Sequence, residues 1–264
     1  MSVLAEERKQ TIINLLNSEG KVRVVPLAEQ FNVSPETIRR DLDVLEKDGL
    51  LRRVYGGATK PLFQTSEAPF TQRQFKLVKE KEAIGRCAAA LIEDGDTIAI
   101  DVGTTALELV KAITGRRRLT VLTNSVSVAI GLMDGVNQGR FSGKIILLGG
   151  ELNPEQQSIS GSICERTMQQ FRVSKAFLSS GGVSMPGGIS DYDPDEASMS
   201  RIFAQTAERV YVLADHSKLG VISFTHMLSF EEVDSVISDS PCPEGWAEHL
   251  AENEVEWIEA PVID

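Results

Sequence analysis

The 264-residue chain carries 27 Lys and Arg against 38 Asp and Glu, a formal charge of −11, and 42% of its residues are hydrophobic. That composition supports a globular protein of about two domains and disfavours one that coats nucleic acid through bulk positive charge. No run approaches the roughly 18 apolar residues of a membrane span and MSVLAEERKQ lacks the apolar region of a signal peptide, while Cys87, Cys164 and Cys242 are too scattered for a disulfide framework or a CxxC metal site, so a reducing cytoplasm is expected.

From the N-terminus, Ile12, Ile13, Leu15 and Leu16 mark a first helix, and Pro26, Leu27, Ala28 and Phe31 a short second one. Asn32-Val33-Ser34 then gives a tight connection, as in a helix-turn-helix. Ser34 is a good N-cap, Pro35 suits the first helical position and Gly49 sits where a C-terminal stop belongs, which predicts a helix from about 35 to 48. Ile38, Leu42 and Leu45 recur at i, i+4 and i+7 and face a core; Glu36, Arg40, Asp43 and Lys47 lie roughly opposite. Downstream, residues 50 to 55 are β-capable, and Gly56-Gly57 allows the sharp turn of a wing carrying Arg52, Arg53 and Lys60. The candidate DNA-contacting residues are therefore Ser34, Thr37, Arg39 and Arg40 on the helix, for phosphate oxygens or base edges, with Arg52 and Arg53 on the wing. A second reading stays open on these grounds: a three-helix domain that binds protein, its arginines paired to Asp41, Asp43 or Glu46.

This block resembles the DeoR family of bacterial transcription regulators. The family's winged helix carries TIRRDL, then L, GL, R and GGA, and here these are Thr37 to Leu42, Leu45, Gly49-Leu50, Arg53 and Gly56 to Ala58. Where the family often has His before GGA, this chain has Tyr55, which keeps an aromatic hydrogen-bonding group.

Residues 59 to 72, TKPLFQTSEAPFTQ, contain two prolines and no sustained period, and read as a linker between a domain at 1–58 and a larger one at 73–264. The charge divides unevenly: residues 1 to 61 hold 10 basic and 9 acidic side chains, the rest 17 and 29. A near-neutral DNA-binding domain predicts weak binding to random DNA and reliance on specific contacts and on dimerisation or a higher oligomer.

Past the linker, TIAID (97 to 101), LTVLTN (119 to 124), KIILLGG (144 to 150), KAFLSSGG (175 to 182), RVYVLAD (209 to 215), SVIS (235 to 238) and VEWIE (255 to 259) are short apolar runs with helical stretches between most of them. Such runs suit strands buried on both faces, which predicts an α/β domain built on a mostly parallel sheet. The acidic segment WAEHLAENEVEWIE reads as a solvated helix and a closing strand.

In such a sheet, ligands sit at the carboxyl ends of the strands. The first strand ends in Asp101-Val102-Gly103-Thr104-Thr105 and runs into the amphipathic ALELVKAI, so glycine, two hydroxyls and a helix N-terminus together suit a phosphate; alternatively Thr104 simply caps the helix. Asp101 suits sugar hydroxyls rather than a bare phosphate. Asn124 ends the next strand, Gly149-Gly150 the third, and Lys218, after Asp215-His216-Ser217, offers a positive charge.

The second domain also resembles that of the DeoR family, through DGDTIAIDVGTT, LTNS, LLGGEL, KAFLSSGGV and ADHSKLG. The resemblance implies a fold similar to ribose-5-phosphate isomerases and a phosphorylated sugar or related metabolite as effector, with Asp101, Gly103, Thr104, Thr105, Asn124 and Lys218 as the binding positions. An isomerase-like enzyme is the alternative, with Asp191, Glu196 or Asp215 as base and Lys218 as electrophile. Attachment to a DNA-binding head favours a sensor. GRFSGK is one residue short of a phosphate-binding GxxxxGK, no GxSxG elbow occurs, and His216, His226 and His249 show no metal-binding spacing, so no cofactor or metal is expected. The expected protein is a cytoplasmic, operator-specific transcription factor, a repressor of carbohydrate-metabolism genes, that acts as a homo-oligomer and responds to a sugar phosphate.

Overall fold

A computed structural model describes residues 3–47, 50–59 and 67–262. The expected helix stop at Gly49 and the wing residue Lys60 lie outside the described residues. The chain divides into two compact units, Met1–Ser66 and Glu67–Asp264.

The first unit comprises α1 (Val3–Glu19), β1 (Lys21–Arg23), α2 (Val24–Gln30), α3 (Pro35–Lys47), β2 (Arg52–Val54) and β3 (Gly57–Thr59). Asn32 turns the chain between α2 and α3 at φ +50°, a left-handed conformation that asparagine tolerates better than most residues. The Ser34 hydroxyl accepts the Thr37 amide at 3.2 Å, fixing where α3 begins. Ile38 and Leu42 are fully buried with Leu45 beside them, and they pack with Ile12, Leu16 and Leu27 from the other two helices. Each such burial stabilises by about 1.5–3 kcal/mol. Arg8 on α1 donates to both carboxylate oxygens of Asp41, at 2.6 and 3.1 Å, so this arginine and this aspartate hold helix to helix.

The strand β1 is an addition to the sequence reading. It pairs antiparallel with β3, which pairs in turn with β2, giving the order β1-β3-β2. Gly56 takes φ +76° at the wing turn. Gly57 is required for a different reason: a Cβ there would lie 2.0 Å from the Val22 carbonyl oxygen of β1.

The second unit begins before the expected boundary at 73. Residues 67–69 lead into α4 (Phe70–Arg73), whose Phe70 is buried and whose Phe70 amide donates to the Glu155 carbonyl. The stretch 59–72 is thus structured at both ends, as Thr59 closes β3 and Phe70 supplies an apolar anchor. There follow α5 (Val78–Ala90), β4 (Thr97–Ile100), α6 (Thr104–Ala112), β5 (Leu119–Thr123), α7 (Val126–Asn137), β6 (Gly143–Leu147), β7 (Glu151–Asn153), β8 (Ser158–Ser160), α8 (Gly161–Met168), β9 (Val173–Ser179), β10 (Gly182–Ser184), β11 (Gly188–Asp191), α9 (Pro194–Thr206), β12 (Ala207–Leu213), β13 (Thr225–Leu228), β14 (Ser235–Ser238), α10 (Ala247–Glu252) and β15 (Glu256–Glu259).

All seven strands expected from the sequence join one sheet, in the order β15-β14-β12-β9-β4-β5-β6, and every pairing in it is parallel. Successive residues feed opposite cores, as the period of two requires. Ile98, Ile100, Phe177, Tyr211 and Leu213 pack under α5, α6 and α7; Ala99, Ala176, Leu178 and Val212 pack under α8 and α9. The sequence reading did not anticipate the β7–β8 hairpin or the small antiparallel sheet β10-β11-β13.

The topology decides where a site can form. The chain runs from β4 through β5 to β6 at one edge, then returns to lay β9 on the other side of β4. The carboxyl ends of β4 and β9 therefore mark the switch point of the sheet, the place where sheets of this kind bind ligands.

Gly57→Ala tests the wing packing. Hydrogen exchange of amides 21–23 and 57–59 in the full chain should accelerate by about tenfold or more, as an overpacked contact costs about 1–3 kcal/mol. Unchanged exchange would show that the close approach to Val22 constrains nothing.

Candidate functional site

The exposed face of α3 carries Arg39 and Arg40, with Thr37 half-exposed at its start. The hydroxyls of Ser34 and Thr37 lie 2.9 Å apart, so the N-cap also orients Thr37. Arg39 makes a solvent-exposed pair with Glu36 at 3.2 Å, a contact worth little and readily exchanged. Among the described residues Arg40 and Arg52 make no hydrogen bond or ion pair, so both guanidiniums are available to a ligand. Tyr55, at the wing turn beside Gly56, is fully exposed.

Arg53 is differently placed from the other candidates. Its guanidinium donates to the Arg39 carbonyl at 3.1 Å and to Asp43 at 2.6 Å, while its backbone amide donates to Glu46 at 2.7 Å. It braces the wing strand against α3, and in this respect the ion-pair reading of the arginines describes it well.

At the carboxyl end of the parallel sheet, Asp101 leaves β4 fully buried. Its carboxylate accepts the Val102 amide at 2.8 Å, the Ser200 hydroxyl at 2.6 Å and the Ser179 amide. Burial, reinforced by nearby Asp191, pushes its pKa up to about 7 in spite of those donors. Gly103 takes φ +144°, and a Cβ on it would lie 2.2 Å from the Ser179 hydroxyl of β9. Only glycine lets the β4 loop approach β9 this closely. Gly103 is also the residue before α6, and no side chain caps the helix; Thr104 and Thr105 are its first two residues, both buried. The first-turn amides of α6 therefore lie at the carboxyl end of β4 without a side-chain cap.

Asn124 is buried at the end of β5, but its amide nitrogen donates to the Ile159 carbonyl at 3.0 Å while Ile159 donates back to its main chain at 2.7 Å. The side chain ties the sheet to β8, and its Oδ1 is buried with no partner among the described residues.

Lys218 follows β12 in a short 3-10 turn capped by Asp215. Its ammonium donates to Glu67 at 2.7 Å and sits 5.3 Å from the centre of the Tyr192 ring. Burial alone would lower its pKa, but Glu67, Tyr192 and Asp215 outweigh it and raise it. Two further cations that the sequence reading missed lie in the same neighbourhood. Arg73 reaches Glu67 at 3.2 Å and Gln156 at 2.7 Å. Lys81, buried on α5, donates to the Arg73 and Lys76 carbonyls at 2.8 and 2.7 Å, and burial lowers its pKa although Asp215 and Glu67 act the other way. Lys81 was visible in principle, since Leu77, Lys81, Ile84 and Ala88 share one helical stripe and a lysine there must be buried or break the stripe. His216 is accounted for structurally by Asp239, which accepts its backbone amide at 2.7 Å and meets its ring at 2.6 Å.

Asp191 links the two halves of the region. It feels both Asp101 and the Lys218–Glu67 pair, and burial with nearby Glu67 pushes its pKa up to about 6. Glu196 accepts a hydrogen bond from Ser158, and burial together with Asp191, Asp193 and Asp101 pushes it up to about 8. The region is thus cationic at Arg73, Lys81 and Lys218, and it also holds carboxyls, Asp101, Asp191 and Glu196, whose pKa values burial raises. A groove of about 520 Å3 runs over α6 and α7, lined by Leu107, Ile130, Gly131 and Arg140 and reaching Phe70, Ser127 and Gln157.

A winged helix-turn-helix unit joined to an α/β unit with a charged strand-end site defines a two-domain, DNA-binding transcription regulator. Residues 8–61 match the DeoR-like helix-turn-helix domain and residues 76–240 the DeoR C-terminal sensor domain. The chain belongs to the DeoR family. It is 34% identical to an HTH-type transcriptional regulator of Bacillus subtilis, over 98% of each chain. It is 33% identical to the glycerol-3-phosphate regulon repressor of Escherichia coli, over 95% of this chain and 97% of that one, and 33% identical to the lactose phosphotransferase system repressor of Staphylococcus aureus, over 88% and 91%. A solved structure of ribose 5-phosphate isomerase A from Methanocaldococcus jannaschii aligns at a TM-score of 0.38 and 16% identity over 53% of each chain. With full-length relatives that are regulators and repressors, the chain is a regulator and the isomerase alternative falls away.

The raised carboxyls carry a pH prediction. Glu196 ordinarily titrates near 4.5 and here near 8, so the native state binds its proton more tightly than the unfolded chain does. Its contribution to stability is full below about 4.5 and is lost as pH rises through 8. Glu196→Gln, which mimics the protonated form, should flatten the fall in melting temperature between about pH 6 and 9 by at least roughly 3 °C. Parallel curves for the two proteins would contradict the assignment.

Proposed function

We propose that the protein is an operator-specific repressor of carbohydrate-metabolism genes whose DNA affinity is set by a phosphorylated sugar at the strand-end site. On the DNA side, the free Arg40 on the outward face of α3 carries the reading. Thr37, Arg39 and Arg40 would meet base edges and phosphates in the major groove, with Ser34 holding the first turn and Arg52 meeting backbone. Arg53 acts indirectly, by positioning the wing. Because residues 1–61 are almost neutral in sum, affinity would come from specific contacts made twice by a homo-oligomer in the cytoplasm.

On the effector side, the observation that carries the reading is the convergence of Lys218, Arg73 and Lys81 with carboxyls Asp101 and Asp191 at one end of the sheet. A sugar phosphate needs both: cations and the amides at the start of α6, beside Thr104 and Thr105, for the phosphoryl group, and carboxyls for hydroxyls. Gly103 would contribute by letting the β4 loop pack on β9, which sets where α6 begins. Asn124 would support the β8 wall. Relatives that repress a glycerol-3-phosphate regulon and a lactose phosphotransferase system support an effector from phosphorylated carbohydrate metabolism.

Arg40→Ala should lower affinity for the DNA upstream of the protein's own gene by about ten- to hundredfold with an unchanged circular dichroism spectrum, as measured by mobility shift. Undiminished binding would remove α3 from the groove. Thr105→Val or Lys218→Met should bind the same DNA normally yet lose any response to a sugar-phosphate panel; a retained response would place the effector elsewhere.

A further inference from the structure

We propose that the Glu67 carboxylate is an intramolecular stand-in for the effector's phosphoryl group, and that Arg73 and Lys218, which now hold it, are the cations that hold the phosphate when effector binds. The inference rests on the strand-end site being the effector site. Glu67 bridges the two cations with different oxygens: Oε1 accepts from Lys218 at 2.7 Å and Oε2 lies 3.2 Å from Arg73. All three side chains are less than one-fifth exposed.

The two sides of this bridge are held unequally. Arg73 stays in place through the Ala68 carbonyl at 2.9 Å and Gln156 at 2.7 Å, and Lys218 through the Tyr192 ring. Among the described residues the Glu67 carboxylate is held by Arg73 and Lys218 alone. The cations are therefore pre-positioned, and the anion is the exchangeable member.

Exchange has a clear electrostatic basis. Taking Glu67 away would leave two largely buried cations without a carboxylate, which is strongly unfavourable. A phosphate monoester arriving in its place carries about −1.5 to −2 charge and three acceptor oxygens, so it satisfies both cations at least as well as one carboxylate. Lys81 close by adds positive potential that favours the more highly charged ligand.

The position of Glu67 in the chain gives the exchange a consequence. It is the first residue of the second unit, directly after the segment that joins the two units. Effector binding would free the Glu67 side chain while Ala68 and Phe70 stay held, and the ligand-free protein would bind effector more weakly because Glu67 competes for the same cations.

The test is a titration of the full-length protein with inorganic phosphate, followed by melting temperature and calorimetry, for wild type, E67Q, E67D and K218M. E67Q should bind phosphate about tenfold or more tightly than wild type, E67D by a smaller factor, and K218M should lose binding alone or combined with E67Q. Equal affinity in wild type and E67Q, both lost with K218M, would overturn the stand-in while leaving the site reading intact. No phosphate binding in any of them would overturn both. Should E67Q fail to fold, E67D decides: affinity no higher than wild type would overturn the proposal.

Discussion

The structure of the second unit depends on one constraint, the burial of an all-parallel sheet on both faces. Its inner strands β4, β9 and β12 pair with a neighbour on each side, and their side chains alternate between two apolar cores. Polar chemistry is thereby excluded from the sheet and gathered at its ends. The reversal of strand order between β4 and β9 then selects where those ends gather. Asp101, Gly103 and Ser179 meet there because the topology leaves them nowhere else to be.

Polar groups gathered in a place with little water must satisfy one another, and the network around Lys218 is the outcome. Carboxyls with too few cations nearby, Asp101 and Glu196, are pushed toward the protonated state. Carboxyls next to cations stay paired. A region holding both kinds of group is unevenly charged over a short distance, which suits a ligand that is anionic at one end and rich in hydroxyls at the other. The DNA-binding unit shows a parallel division among its arginines: Arg8 and Arg53 are consumed by Asp41 and Asp43, and Arg40 and Arg52 are left to solvent. Their sequence neighbourhoods are alike; the difference is whether a carboxylate on a facing element is within reach.

That difference marks what could be read from the sequence. Local signals sufficed for α3, where an N-cap, a proline and an i, i+4, i+7 stripe all agree, and for the seven sheet strands, whose apolar runs have no other use. The β7–β8 hairpin and the β10-β11-β13 sheet escaped because strands of three or four residues are too short to show a period. Glu67 was hidden in a stretch that reads as linker by its prolines and polar residues, with Arg73 at its border, and Lys218 lies about 150 positions from Glu67, beyond any local pattern. Asn124 was picked out correctly as a strand-end residue, yet the direction of its side chain, toward Ile159, depends on a hairpin that the sequence did not reveal. Side-chain identity at a strand end is legible; which neighbour claims it is a property of the fold.

The central claim is that a phosphorylated metabolite bound at the sheet's carboxyl end controls DNA binding by the other unit. Fluorescence anisotropy of the full-length protein on its operator tests this most directly, with each of a panel of phosphorylated sugars compared against the same sugar without its phosphate. The account predicts that at least one phosphorylated sugar shifts the operator dissociation constant by about 5- to 150-fold, the usual span of allosteric coupling, while its dephosphorylated form does not. A dissociation constant that stays the same across the panel, or that moves equally with and without the phosphate, would contradict it.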